Sequence, residues 1–244
     1  MDYLIDLLCR YLEEHYSRGR ENLLAISSAE PLVDRKLLVD DKMPVIQSGN
    51  GGTTIMVKLT KTNDDIIKKS NELAIEYEAK YKGCAQCTFL AIIDALRWGG
   101  LEIIPRDMED RLFSGLSVLT GGVGLSGEGT CGAVASGTVA IGLALGLGRE
   151  SINESLFRQS CAIVRDTLLD KYYRKYNSML CKDIQRRFFG KAWDLTRDEF
   201  SAEFLGISQG CVIMEGAMWA TEVILDEFDK GNVKGYVGSP EAEP

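Results

Sequence analysis

Seven cysteines and a single histidine stand in this chain of 244 residues. Five of the cysteines sit where chemistry is plausible. Cys84 and Cys87 lie in Gly83-Cys84-Ala85-Gln86-Cys87, Cys131 lies in Thr130-Cys131-Gly132-Ala133, and Cys181 and Cys211 follow. Thiolates far apart in sequence, with almost no imidazole beside them, point to sulfur chemistry: an iron–sulfur cluster, a dithiol switch or a zinc clip.

The spacing narrows how such a site is built. Cys84 to Cys131 is 47 residues, Cys131 to Cys181 is 50, and Cys181 to Cys211 is 30. No two of these four share one helix, so a common site draws one thiolate from each of four segments. Helical bundles assemble cofactor sites this way, from side chains on facing helices. Cys131 follows a glycine-rich loop, Gly121-Gly122-Val123-Gly124 and Gly127-Glu128-Gly129, and opens a helix. The free N–H groups of a helix start favour thiolate over thiol and can hydrogen-bond cluster sulfurs. Cys84 and Cys87 form a CxxC pair that a helix places on one face. Cys87 has three readings: it resolves a sulfenate on Cys84, it is a fifth ligand, or it packs.

The remaining candidates are plain. Cys9 lies among leucines and Cys161 beside Ala162 and Ile163, and both read as packing residues. His15 reads as a solvated or capping residue. The glycine loop has no Gly-Lys-Ser/Thr ending and no preceding strand, so it is not a phosphate loop. Glu215 and Glu222 read as a solvated helix face, and Arg106, Arg186 and Arg187 as surface charge.

The elements that must position the cysteines are helices. Breaks and apolar periodicity predict helices over 63–81, 83–99, a short one from 105–107, 131–147, 151–176, 180–189, 197–204 and 208–228. Asn63 reads as the first N-cap. Residues 2–17 form an amphipathic pattern, and 36–39 and 53–59 are β-like runs that suggest a small hairpin. The expected architecture is an all-α bundle over 63–230, preceded by an N-terminal arm over 1–62 and followed by a polar, disordered tail over 231–244. The uncharged run from Gly129 to Gly148 has the length of a membrane span but is rich in glycine and small polar residues. It reads as a helix buried within a bundle.

Composition limits the partners. The net charge is −8 and the pI about 4.9, which repels phosphate backbones and anionic surfaces, so neither nucleic acid nor membrane is expected. The first residues carry no basic segment of a secretory signal, and a cytoplasmic location is expected, where structural disulfides are rare. The arm, with its apolar helix, is expected to mediate a homodimer. No CxxCH occurs, so no c-type haem is attached.

Taken in order, Gly83-Cys84-Ala85-Gln86, Thr130-Cys131-Gly132-Ala133, Cys181 and Cys211 resemble the redox-active proteins named for their C…GCAxxG…C…C cysteine pattern. The resemblance covers roughly residues 80–228. It implies an all-helical redox protein, similar to the cluster domain of split-Soret cytochrome c. It implies an iron–sulfur cluster, with [2Fe–2S] favoured over [4Fe–4S], on Cys84, Cys131, Cys181 and Cys211. The sequence departs from the pattern at Ser136, where the pattern has glycine and this chain has Gly137 one residue later. The implied activity is electron transfer, or a part in a cluster-dependent oxidoreductase, with a redox partner protein or a small-molecule substrate. Two alternatives stay open: a thiol–disulfide oxidoreductase using Cys84 and Cys87, and a zinc-stapled structural or assembly protein.

Overall fold

The computed structural model describes residues 57–208 and 212–235. The amphipathic pattern at 2–17, Cys9, His15, Cys211 and the β-like runs up to residue 56 lie outside the described residues. Residues 57–59 carry no strand, and no named strand occurs among the described residues.

The body is helical, as its periodicity predicts. Helix α1 spans Asn63–Tyr81. Its cap is Thr62, one residue before the expected Asn63: the Thr62 Oγ1 accepts from the Asp65 N–H at 3.2 Å. It buries Ile66, Ser70, Leu73 and Ala74, a stripe of helical period. Helix α2, Cys84–Trp98, is buried on almost every side, with Phe89, Ile92 and Leu96 fully enclosed. A 3₁₀ turn at Arg106–Met108 leads into α3, Glu109–Ser117. Arg97 at the end of α2 pairs with Asp94, Glu102 and Glu109, which ties α3 to α2.

Helix α4, Gly132–Leu145, is the small-residue run, and it is interior to the bundle as expected. Gly137 lets it lie close to its neighbours, because a Cβ there would stand 3.1 Å from Leu168 Cδ2 and 3.2 Å from Ala220 Cβ. The glycine that the family pattern places at 136 is thus supplied one residue later, while Ser136 is buried. A continuous helical rod follows: α5 at Glu154–Val164, a π-turn at Arg165–Leu169, and α6 at Asp170–Tyr176. Then come α7 at Cys181–Phe189, α8 at Asp198–Ile207 and α9 at Val212–Asp229. α2 packs on α1, α4 and α9, and α9 also packs on α1 and α4. Each large apolar side chain enclosed there contributes about 1.5–3 kcal/mol.

The first residues of the expected tail are packed. Val233 is fully buried, and the N–H groups of Lys234 and Gly235 both donate to Ala144 O at 2.9 Å. Val233 supplies the apolar anchor that a polar composition hides. Among the described residues, no helix is long and apolar enough to cross a membrane.

Candidate functional site

Three of the predicted cysteines open three helices. Cys84 is the first residue of α2, Cys131 is the N-cap of α4, and Cys181 is the first residue of α7. Backbone pairing holds the last two side by side. The Cys131 N–H donates to Met179 O at 2.8 Å, the Cys181 N–H to Gly129 O at 3.0 Å, and Thr130 and Leu180 form an antiparallel bridge. The Lys182 N–H extends this to Gly127 O at 3.0 Å. Two glycines give the sulfurs room. A Cβ on Gly132 would collide with Cys84 Sγ, and one on Gly122 would stand 2.7 Å from Cys181 Cβ. Gly122 also holds a left-handed φ of 75°, which glycine adopts without strain.

Cys84, Cys131 and Cys181 line one cavity of about 50 Å³. Its wall is apolar, built from Ile184, Phe188, Phe189, Leu195 and Phe204, with Val212 and Ile213 from the start of α9. Edge-to-face packing of Phe189 on Trp193 and on Phe204 stiffens that wall. Glu78 and Lys82, at the end of α1, complete the lining with Thr120, Gly121 and Gln185.

Burial governs the thiols. It pushes the Cys84 pKa up, against the Gly121 and Gly132 amides and the Thr120 hydroxyl, which pull it down. It lifts Cys131 well above its ordinary value, helped by the neighbouring charge of Cys84 and Cys181 and opposed by the amides of Ala133 and Val134. It raises Cys181 to about 12, opposed by the Gln185 amide. The helix start was expected to favour thiolate at Cys131. The amides do act in that direction, but desolvation outweighs them, so the metal-free site holds thiols.

Cys87 is separate from this cavity. It is fully buried, its Sγ donates to Tyr77 O at 3.2 Å, and burial raises its pKa to about 12. The CxxC switch required a lowered thiol pKa, and burial raises both Cys84 and Cys87 instead. Cys84, Cys87, Cys131, Cys161 and Cys181 are free thiols. Cys161 was expected to pack and is exposed, because α5 buries no residue at all. Glu215 and Glu222 are not a bare solvated face: Glu215 pairs with Lys175 and accepts from Tyr176, and Glu222 pairs with Lys171.

Sequence reading missed several neighbours of the sulfurs. Gln185 donates from Nε2 to Cys181 Sγ at 3.2 Å, and its Oε1 accepts from the Trp193 N–H at 2.9 Å. Its i+4 spacing from Cys181 was the available signal. Thr120 carries no signal beyond preceding the glycine loop. Val123 and Leu125 hold left-handed φ values of 66° and 63°, a strain of about 1–3 kcal/mol each of the kind found beside functional sites. Among the described residues, no three His, Cys, Asp or Glu side chains are placed to hold a single ion.

The donor set nevertheless fits a metal cofactor: three sulfurs on one largely apolar cavity, cleared by Gly132 and faced by backbone amides. The family model described as "Putative redox-active protein (C_GCAxxG_C_C)" matches residues 82–214, a span that contains Cys84, Cys131, Cys181 and Cys211. No curated protein and no solved structure matches the chain.

Proposed function

The chain belongs to the redox-active protein family defined by the C_GCAxxG_C_C cysteine pattern, and from that premise we propose that it is an iron–sulfur electron-transfer protein. The observation that carries the proposal is the convergence of Cys84, Cys131 and Cys181, from three helix starts, on one small apolar cavity. Cys211 is the fourth ligand in this reading, because Val212, the next residue, lines the same cavity. When bound, the cluster supplies single-electron exchange with a redox partner protein or a small-molecule substrate.

The chain's own residues set the terms of that exchange. The apolar wall disfavours added negative charge, which lowers the reduction potential. The amides of Gly121, Gly132, Ala133 and Val134 and the side chain of Gln185 face the sulfurs and raise it. Since the free site holds thiols, loading must release their protons and strengthens as pH rises.

The test is anaerobic reconstitution with ferrous iron and sulfide, with iron and sulfide analysis and electron paramagnetic resonance of the reduced protein. The expected result is a coloured protein with equal iron and sulfide, lost in Cys84→Ser, Cys131→Ser, Cys181→Ser and Cys211→Ser. Colourless, iron-free protein after reconstitution overturns the proposal. Stoichiometric zinc in its place selects the structural reading.

A further inference from the structure

Tyr172 of α6 is fully enclosed, and among the described residues its hydroxyl has no hydrogen-bond partner. Its ring is well packed, edge-on to Trp219 at 5.0 Å and against Tyr176 at 6.0 Å. Phenylalanine would keep that packing and avoid about 1–3 kcal/mol for an unsatisfied buried hydroxyl. A second unfavourable residue sits at the same point. A Cβ on Gly216, inside α9, would stand 2.6 Å from the Tyr172 hydroxyl oxygen and 2.9 Å from Ala133 Cβ. Glycine in a helix interior costs about 1 kcal/mol relative to alanine. Two residues that each weaken the fold thus clear a space for one hydroxyl, beside the first turn of α4 that Cys131 caps.

The backbone carries the same mark. The rod fully buries no residue over Glu154–Val164, then buries Leu168 in the π-turn and Tyr172 and Tyr176 after it. The extra residue of a π-turn rephases the helix after it, and such turns recur at functional sites. Gly216 sets the Tyr172 hydroxyl beside Ala133, two residues after Cys131. The hydroxyl is therefore a hydrogen-bond donor close to the sulfur site.

We infer that the Tyr172 hydroxyl is a positioning residue for the cofactor, donating a hydrogen bond to the sulfur side of a cluster held at Cys131. The inference rests on the iron–sulfur reading above. A donor to cluster sulfur favours the more negative, reduced form and so raises the reduction potential.

The experiment compares wild type and Tyr172→Phe, both reconstituted with ferrous iron and sulfide. It reads iron per chain, reduction potential by mediated titration, and the thermal midpoint of the metal-free protein. The expected variant takes up as much iron as wild type. Its metal-free form melts at the same temperature or higher, since an unsatisfied hydroxyl is gone. Its reduction equilibrium shifts about tenfold toward the oxidised form, a fall of about 59 mV for one electron. Full iron with an unchanged potential overturns the inference and leaves the cluster reading standing. A metal-free variant that melts several degrees lower also overturns it, because the hydroxyl then has a structural partner. Wild type that takes up no iron overturns both.

Discussion

Replacing Gly132 by alanine adds one methyl group where α4 passes the start of α2. That methyl would lie 2.9 Å from Ala85 N and 3.0 Å from Ala85 Cβ, against 3.4–4 Å for ordinary contact, and would overlap Cys84 Sγ. The helices must separate by about half an ångström (3.4 − 2.9) to relieve the backbone contact alone. Overpacking of this kind costs about 1–3 kcal/mol, and the better helix propensity of alanine returns at most about 1 kcal/mol. The net expectation is a loss of about 1–2 kcal/mol, with Cys84 pushed off its place and iron uptake lost. Gly142 is the matched control. It lies ten residues on in the same helix, is exposed, and has nothing within 4 Å of its added Cβ. Gly142→Ala should gain about 1 kcal/mol and keep full iron uptake. The two variants should differ by about 2–3 kcal/mol, or roughly 4–12 °C in melting midpoint at 2–4 °C per kcal/mol. Scanning calorimetry of the metal-free proteins and iron analysis after reconstitution decide the matter. If the two alanine variants match in midpoint and in iron content, the steric account of the Cys84 site is wrong.

Three more outcomes are expected. Cys87 and Cys181 keep their protons to about 12 in the folded state, while an exposed thiol loses its proton near its ordinary value of 9.0. Metal-free stability is therefore complete below pH 9 and falls as pH rises above it, by about 1.4 kcal/mol per thiol per pH unit; equal urea midpoints at pH 8 and pH 10 would refute this. Cys87→Ala should cost about 1–2 kcal/mol in urea titration yet take up as much iron as wild type, and loss of iron would return Cys87 to the ligand set. Brief alkylation of the native metal-free protein should label Cys161 and spare Cys87, Cys131 and Cys181, as read by peptide mass mapping; equal labelling would contradict their burial.

The helices were legible because their signals are local. The Asp64 and Asp65 first turn, the small-residue run predicted to end at Leu147 and the break at Asn177 each show in a few neighbouring residues, and the structure places helix ends at or near them. Cys84 and Cys131 stood out through their glycine and alanine neighbours, and the structure brings both to one cavity. What sequence could not show depends on distant contacts. The state of the Cys131 thiol turns on how deeply α2 and α4 bury it. Cys161 sits beside Ala162 and Ile163, a core-like neighbourhood, yet α5 presents it to solvent. Gln185 matters through Trp193, eight residues away, and Tyr172 through Gly216, on another helix. A buried hydroxyl without a partner has no sequence signature at all.

The pairing of Thr130 with Leu180 carries a consequence for the order of events in synthesis. Many metal sites take their ligands from one short stretch and can load while the chain is still emerging. Here the bridge closes a loop of 50 residues, and α2, which supplies Cys84, lies outside it. The three sulfurs meet only after the chain has been made past Cys181 and folded back on itself. Val212 and Ile213 finish the cavity wall later still. On the iron–sulfur reading, loading at this site is a maturation step performed on a body already folded around Cys84, Cys131 and Cys181.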